Sequence, residues 1–367
     1  MSWVLFAILG IYIIAIMVLI YGFTKVKTFE HKNLKPKTSF TIIVPFRNEI
    51  DNLPNLLQSF SKLNYPNDLF EVILVDDNSH ERIFVSSFRF QVSVMDNIRV
   101  SNSPKKDAIS TAMKQVKTSW VITTDADCLV PENWLLTFDN YIQQNNVSML
   151  AGAVTYQCED LFLHDFQQLD LTSLQGATIG SFGIEKAFMC NGANFAYRKE
   201  LFESLNGFEG NNKIASGDDV FLLQKAANLF PDKVHYLKAK EAIVVTKPTE
   251  NWKSLFHQRV RWAAKTSSYQ SNFGKVLGLI VFFGNLNFII GFFFFGFGLL
   301  NWQLLVFFIA LKFTIDCGLL FMTNEFLTKK NIRSLFLSSL LYPFFSTTVA
   351  LYSLFGSYEW KDRRFGK

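Results

Sequence analysis

Charge is unevenly distributed along this chain, and that constrains its fold before any motif is considered. From Trp3 to Phe23 no residue is charged, a run long enough to cross a hydrocarbon core that needs ~20 helical residues. The run lacks the charged start and small-residue end of a signal peptide. Lys25, Lys27, Lys32, Lys35 and Lys37 follow it. It reads as a retained anchor whose basic flank holds the next segment in the cytoplasm.

A second apolar block lies near the other end. Val276–Leu300 is uncharged and rich in Phe, Gln303–Met322 follows a turn at Asn301–Trp302, and Ser334–Phe355 is a third segment. A basic loop, Thr328–Arg333, separates the last two and is expected on the cytoplasmic side. One anchor and three later spans would put the basic tail Lys361–Lys367 outside, against the charge rule. Either the last segment is re-entrant or interfacial, or the rule fails here. Lys312 and Asp316, at i,i+4 spacing within the middle segment, read as a self-satisfied pair rather than a polar site in the bundle.

Hydrophobic residues make up 49% of the chain and charged residues 18%, against roughly 25% charged in ordinary soluble domains. Disorder, collagen and disulfide scaffolds are excluded. The four cysteines, Cys128, Cys158, Cys190 and Cys317, are scattered without a CxxC pair and read as reduced thiols. A net charge of +5 does not argue for nucleic acid.

The middle of the chain alternates strand and helix signals. Ser39–Phe46, Phe70–Asp77, Trp120–Asp125 and Val147–Tyr156 are apolar, β-rich runs, with helical patterns over Asp51–Leu63 and Pro104–Val116. Unalternating strands separated by helices predict a parallel sheet covered on both faces. Ligands of such sheets sit beyond the carboxyl ends of the strands. Here those ends carry Arg47-Asn48-Glu49, Asp76-Asp77-Asn78 and Asp125-Ala126-Asp127. Carboxylates converging on one rim repel each other. A hard divalent cation and a diphosphate would relieve that repulsion.

Each motif also has an ordinary explanation. Asp125 and Asp127 could be a solvated turn, and Asp76-Asp77 could open an Asx turn. Asp218 and Asp219, ahead of a helix-like run Val220–Leu229, could simply favour the helix dipole. Lys105-Lys106 at a helix start is usually solvated, though it could reach a phosphate. Gln258-Arg259-Val260-Arg261-Trp262 has the look of an amphipathic interfacial helix, and Asn191–Asn194 of a small-residue turn.

In order and together, these motifs resemble the membrane-bound, family-2 inverting glycosyltransferases of GT-A fold. The shared pattern is Val44–Glu49, the Asp pair after the second strand, DxD at Asp125 and Asp127, the acidic pair Asp218-Asp219, and QxxRW at Gln258, Arg261 and Trp262. It covers roughly residues 38–270. The resemblance implies an α/β fold: a mostly parallel sheet flanked by helices, with transmembrane helices at both ends. The implied organisation is an anchor (1–24), a basic linker (25–37), a catalytic domain (38–250), an interfacial QxxRW helix (251–274), C-terminal transmembrane helices (275–356) and a basic tail (357–367).

By the same resemblance Pro45, Arg47 and Glu49 line a nucleotide pocket, and Asp77, with Asp76, holds the base or uridine. Lys106 approaches a phosphate. Asp125 and Asp127 hold Mg2+ or Mn2+ against the diphosphate. Asp219 is the catalytic base, with Asp218 as second choice. Gln258, Arg261 and Trp262 close the site near diphosphate and acceptor, and Asn191, Gly192 and Asn194 lie beside the acceptor. Many relatives have Glu-Asp where this chain has Asp218-Asp219, which leaves the base assignment open between the two.

The implied enzyme is an integral protein of the cell membrane with a cytoplasmic catalytic domain. It would move a sugar from a nucleotide diphosphate sugar, a UDP-sugar being favoured, to a lipid-linked or growing glycan acceptor. A processive polysaccharide synthase and a catalytically inactive scaffold of the same fold are the alternatives.

Overall fold

The computed structural model describes residues 2–32, 34–82, 88–211, 214, 216–328, 332–360 and 363–365. Lys329 and Lys330 of the basic loop, and Lys361 and Lys367 of the basic tail, lie outside the described residues. In chain order the helices are α1 (Ser2–Lys25), α2 (Leu53–Ser61), α3 (Pro104–Met113), α4 (Trp134–Gln144), α5 (Phe162–Gly183), α6 (Lys199–Ser204), α7 (Asp218–Leu229), α8 (Trp252–Ala264), α9 (Asn272–Gly296), α10 (Trp302–Leu327) and α11 (Leu335–Phe355). The strands are β1 (Phe40–Phe46), β2 (Phe70–Asp76), β3 (Gln91–Asp96), β4 (Trp120–Thr123), β5 (Cys128–Leu129), β6 (Met149–Gly152), β7 (Val154–Tyr156), β8 (Phe195–Arg198), β9 (Val234–Leu237), β10 (Val244–Thr246), β11 (Tyr358–Trp360) and β12 (Arg363–Phe365). These elements divide into two compact units.

One unit, Lys27–Gln157 with Ala187–Lys247, is an α/β sandwich. Its seven-stranded sheet has the order β3-β2-β1-β4-β8-β6-β9. The strands β3, β2, β1 and β4 are mutually parallel, and β8 runs antiparallel between β4 and β6. The sheet is therefore mostly parallel, as the apolar strands predict. Phe40, Ile42 and Val44 of β1 are fully buried and join one core with Leu56 and Phe60 of α2 and Trp134 and Phe138 of α4. Because the four strands run the same way, their carboxyl ends, Phe46, Asp76, Asp96 and Thr123, come out on one edge.

The expected strand Val147–Tyr156 breaks in two. β6 stays in the large sheet, while β7 joins a three-stranded sheet of order β5-β10-β7. The break falls at Ala153, whose carbonyl accepts from the Asn194 side chain and from Val244 N–H. Gly152 precedes it because a Cβ there would run into the Asn194 amide.

The other unit, Met1–Val26, Cys158–Lys186 and Pro248–Lys367, is helical. Among the described residues four of its helices are long and apolar enough to cross a membrane: Trp3–Lys25, Asn272–Gly296, Trp302–Leu327 and Leu335–Phe355. The sequence reading places α5 inside the catalytic segment 38–250, but it groups with these helices instead. Glycines explain the grouping. A Cβ on Gly22 would strike the Gly180 carbonyl, and one on Gly183 the Gly22 carbonyl, so the backbones of α1 and α5 touch. The Lys312–Asp316 pair closes at 2.7 Å and gains a third member, Tyr12 of α1, which donates to Asp316 Oδ1 at 2.6 Å. Lys312 is buried, and this mutual satisfaction is what a charge among apolar helices requires.

Candidate active site

The loops after β1 and β2 are stitched together. Asn48 and Asn78 sit in the left-handed region, at φ 53° and 63°, which short Asx side chains tolerate. Arg47 donates to the carbonyls of Asp77 at 2.9 Å and Asn78 at 2.7 Å. Asn48 N–H donates to Ser79 Oγ, and His80 N–H to Asn48 Oδ1. Asp76 accepts from Ser79 N–H, three residues on, and from its hydroxyl at 2.6 Å, so its carboxylate holds the turn that follows β2. Asp77 is buried and accepts from Asn97 at 2.7 Å and Arg99 at 3.3 Å. Pro45 pairs with Val75 in the sheet, and Glu49 accepts from the Asn52 side chain at 2.6 Å while its carbonyl takes the N–H groups of Asn52 and Leu53 at the start of α2. Asn97 and Arg99 escape the sequence reading. They follow β3, an edge strand whose exposed, mixed composition gives a weak signal.

The carboxylates beyond β4 and at the start of α7 meet at a lysine. Lys105 Nζ donates to Asp125 Oδ1 at 2.5 Å and stands 3.7 Å from Asp218 Oδ2. Burial alone would lower its pKa, yet Asp125, Asp218 and Asp219 together hold it above the ordinary lysine value. Asp127 is pushed up to about 6, first by burial and then by the charge of Asp125. The adjacent Cys128 thiol, 3.8 Å from Asp127 Oδ1, is driven well above the usual thiol range by burial and those two carboxylates. It is held as an inert thiol rather than a nucleophile.

Lys106 does not take the position expected of it. Its ammonium is 1% exposed and donates to the carbonyls of Asn211 at 2.8 Å and Ile214 at 2.9 Å, over the ring of Phe221. Successive helical residues point about 100° apart, so Lys105 takes the acidic rim and Lys106 the interior.

Gly192 joins the rim from another segment. Its N–H donates to Asp219 Oδ2 at 2.8 Å, and its carbonyl accepts from Thr123 Oγ1 at 2.7 Å. A Cβ there would lie 3.2 Å from both Asp218 Oδ2 and Lys105 Nζ. Asp219 Oδ1 accepts from Val220 N–H, in the first turn of α7, which starts after Gly217 at φ 83°. Asn191 caps its own turn by accepting from Ala193 N–H. Asn194 is not presented to an acceptor. It is fully buried, donates to the Ala153 and Ala242 carbonyls at 2.8 Å each, and accepts from Trp134 Nε1 at 3.0 Å. Its amide ties two sheets to α4.

Gln258, Arg261 and Trp262 lie on α8, in the helical unit. There the buried charge is Arg259: it pairs with Asp170 of α5, donates to Gln258 Oε1 and stacks 4.2 Å over the Trp262 ring. Asp170, a lone charge between Leu169 and Leu171, is the sequence signal that could have found this pair.

Among the described residues no group of three or more His, Cys, Asp or Glu side chains is placed to hold a metal ion. Asp125 and Asp127 are hard oxygen donors whose mutual repulsion a cation would relieve. Two carboxylates, with phosphate oxygens and water completing the shell, suit Mg2+ or Mn2+.

Residues 41–205 match the profile of glycosyl transferase family 2. A probable glycosyltransferase of Bacillus subtilis, YdaM, is 25% identical over 377 residues, covering 91% of this chain and 88% of that protein. Glycosyltransferase AglE of Haloferax volcanii is 22% identical over 192 residues, 51% of this chain and 61% of its own length. The mannosyltransferase PcManGT of Pyrobaculum calidifontis, solved with GDP-Man and Mn2+, has a similar fold: TM-score 0.56 at 15% identity, over 95% of this chain and 97% of that one.

Proposed function

We propose that the chain, whose residues 41–205 match the glycosyl transferase family 2 profile, transfers a sugar, with inversion, from a nucleotide diphosphate sugar to a lipid-linked or growing glycan acceptor at a membrane. One observation carries the reading: Lys105 gathers Asp125 and Asp218, from segments far apart in sequence, at the carboxyl edge of the sheet beside Asp219 and Gly192. PcManGT, of similar fold, was solved with GDP-Man and Mn2+, a ligand pair of this chemistry.

In this reading the stitched loops of Arg47 and Asp77 receive the nucleoside, and Lys105, rather than Lys106, faces the diphosphate. Asp125 and Asp127 are the carboxylates that hold Mg2+ or Mn2+. When bound, the metal neutralises charge that develops on the leaving diphosphate. Asp219 accepts the proton of the acceptor hydroxyl. That oxygen bonds to the anomeric carbon as the bond to the diphosphate breaks, inverting the centre in one displacement. Gly192 N–H fixes the Asp219 carboxylate, and Asp218 lies beside Lys105 as the second candidate. Gln258, Arg261 and Trp262 serve diphosphate and acceptor, and the catalytic unit faces the cytoplasm.

Purified full-length protein, screened with UDP- and GDP-sugars and Mn2+, tests the proposal. The expected result is metal-dependent release of nucleotide and a rise in melting temperature with one donor. No turnover and no stabilisation across the common donors would overturn it. With a radiolabelled donor, a single added sugar rather than a polymer ladder is expected.

A further inference from the structure

We propose that Lys106 is a positioning residue: it fixes the start of α7 and with it Asp218 and Asp219, whose standing as base candidates rests on the reaction proposed above.

The connection from α6 to α7 turns its carbonyls toward this lysine. Asn211 N–H donates to the Phe208 carbonyl at 3.1 Å, and Ile214 N–H to the Asn211 carbonyl at 3.2 Å. Lys106 Nζ then takes the Asn211 and Ile214 carbonyls at 2.8 Å and 2.9 Å. An ammonium carries three donors, so one group can hold both oxygens, and its charge strengthens each bond. Lys106 is buried, so little water is at hand to replace it, and a buried carbonyl left unmet is costly.

The same ammonium reaches past the acidic pair. It lies 5.1 Å from the centroid of the Phe221 ring, buried in the first turn of α7, and Phe221 N–H donates to the Gly217 carbonyl at 3.1 Å. Lys106 therefore touches the chain four residues before Asp218 and two residues after Asp219. Between those contacts Gly217 stands at φ 83°, a conformation that side chains with a Cβ rarely adopt. A backbone held on both sides of the pair fixes the direction in which the two carboxylates leave it.

The lysine is itself mounted on a fixed turn. Asp107 Oδ2 accepts from the N–H groups of Val100 at 3.1 Å and Ser101 at 2.9 Å, and its Oδ1 from the Ser101 hydroxyl at 2.8 Å. One turn of α3 thus places the acidic pair twice. Lys105 acts on the Asp218 carboxylate, and Lys106 on the backbone around it. The bond from Gly192 N–H to Asp219 Oδ2 depends on that placement, because Gly192 belongs to a different segment.

Lys225 of α7 supplies a control. Its Nζ donates to the carbonyls of Leu205 at 3.2 Å, Gly207 at 2.9 Å and Glu209 at 2.7 Å. This is the same kind of clamp on the same connection, but it grips carbonyls that all precede Asn211.

The test compares Lys106→Met and Lys225→Met with the parent, each as full-length, detergent-solubilised protein. In hydrogen–deuterium exchange, Lys106→Met should speed exchange by about tenfold in the peptides that hold Gly192 and Val220, a local opening. Lys225→Met should leave both peptides at the parent rate. Parent-like exchange of both peptides in Lys106→Met overturns the proposal, whether or not a donor is known. With the donor found by the screen above, Lys106→Met should lower kcat by about a hundredfold, the scale of a slightly misplaced reacting group, with donor KM unchanged. Lys225→Met should keep both constants. Equal losses in the two variants mark Lys106 as merely structural, and a raised donor KM at parent kcat marks it as a phosphate binder; either overturns the proposal. Should Lys106→Met fail to fold, Lys106→Gln, whose neutral amide keeps part of the contact, is read by the same criteria. A parent without turnover counts against the reaction alone, and exchange still decides the role of Lys106.

Discussion

Both units bury charge, but they partner it differently. In the helical unit each buried ion has side-chain partners of its own. Lys312 answers Asp316 and Tyr12, and Arg259 answers Asp170 and Gln258. In the α/β unit, among the described residues, the ammonium of Lys105 is spread over Asp125, Asp218 and Asp219, while Asp127 has its ionisation disfavoured. The first arrangement is closed and fixes helices. The second gathers more carboxylates than cations among the described residues, and such a rim is suited to a cationic ligand.

Breaking the two kinds of site should therefore separate activity from stability. Asp127→Asn and Asp219→Asn should each lower transfer by about a hundredfold to ten-thousandfold, the range for loss of a positioned acid–base or metal-binding group, with melting temperatures close to the parent. Equal activity in both variants would abolish the contrast. In the helical unit the order reverses. Arg259→Met alone leaves Asp170 uncompensated and should destabilise by about 3–5 kcal/mol, whereas Arg259→Met with Asp170→Leu should recover most of that loss. Chemical denaturation of the detergent-solubilised protein reads both.

pH sharpens the contrast further. Asp127 is raised from 3.8 to about 6 in the folded protein, so the metal-free fold gains from this group as pH drops from 7 toward 5, because it takes up a proton that the unfolded chain holds only at lower pH. Metal binding needs the ionised form, so Mn2+-induced stabilisation should run the other way and fade as pH falls through about 6. Melting curves with and without Mn2+ at pH 7 and pH 5 measure the two slopes. The smallest effect is expected at the exposed Arg333–Asp160 pair: Asp160→Asn should leave the melting temperature unchanged, since solvent screens such pairs.

The rim was legible in the sequence because strand polarity does the gathering. Once Ser39–Phe46, Phe70–Asp77 and Trp120–Asp125 read as buried parallel strands, the polar residues after them had to share an edge. What stayed hidden depended on finer geometry. The choice between Lys105 and Lys106 is a matter of 100° around α3, which two adjacent lysines do not reveal. Asn194 looks like an exposed loop residue until the carbonyls of Ala153 and Ala242 and the Trp134 indole are seen to saturate its amide. α5 carries enough polar residues, among them Gln167, Asp170 and Gln175, to read as part of a soluble domain. Its true allegiance is set by Gly180 and Gly183, which matter only once α1 lies against them, and by Gly176, which meets α10.

That glycine contact changes what α1 is for. A generic greasy leader of equal length would hold the enzyme at a bilayer, but it would bring neither the bare backbone at position 22 nor the phenol at position 12. Exchanging α1 for a foreign leader should therefore cost the neighbouring helices their seating even while the protein stays in the membrane fraction. The first two dozen residues are thus a custom-cut part rather than a tether.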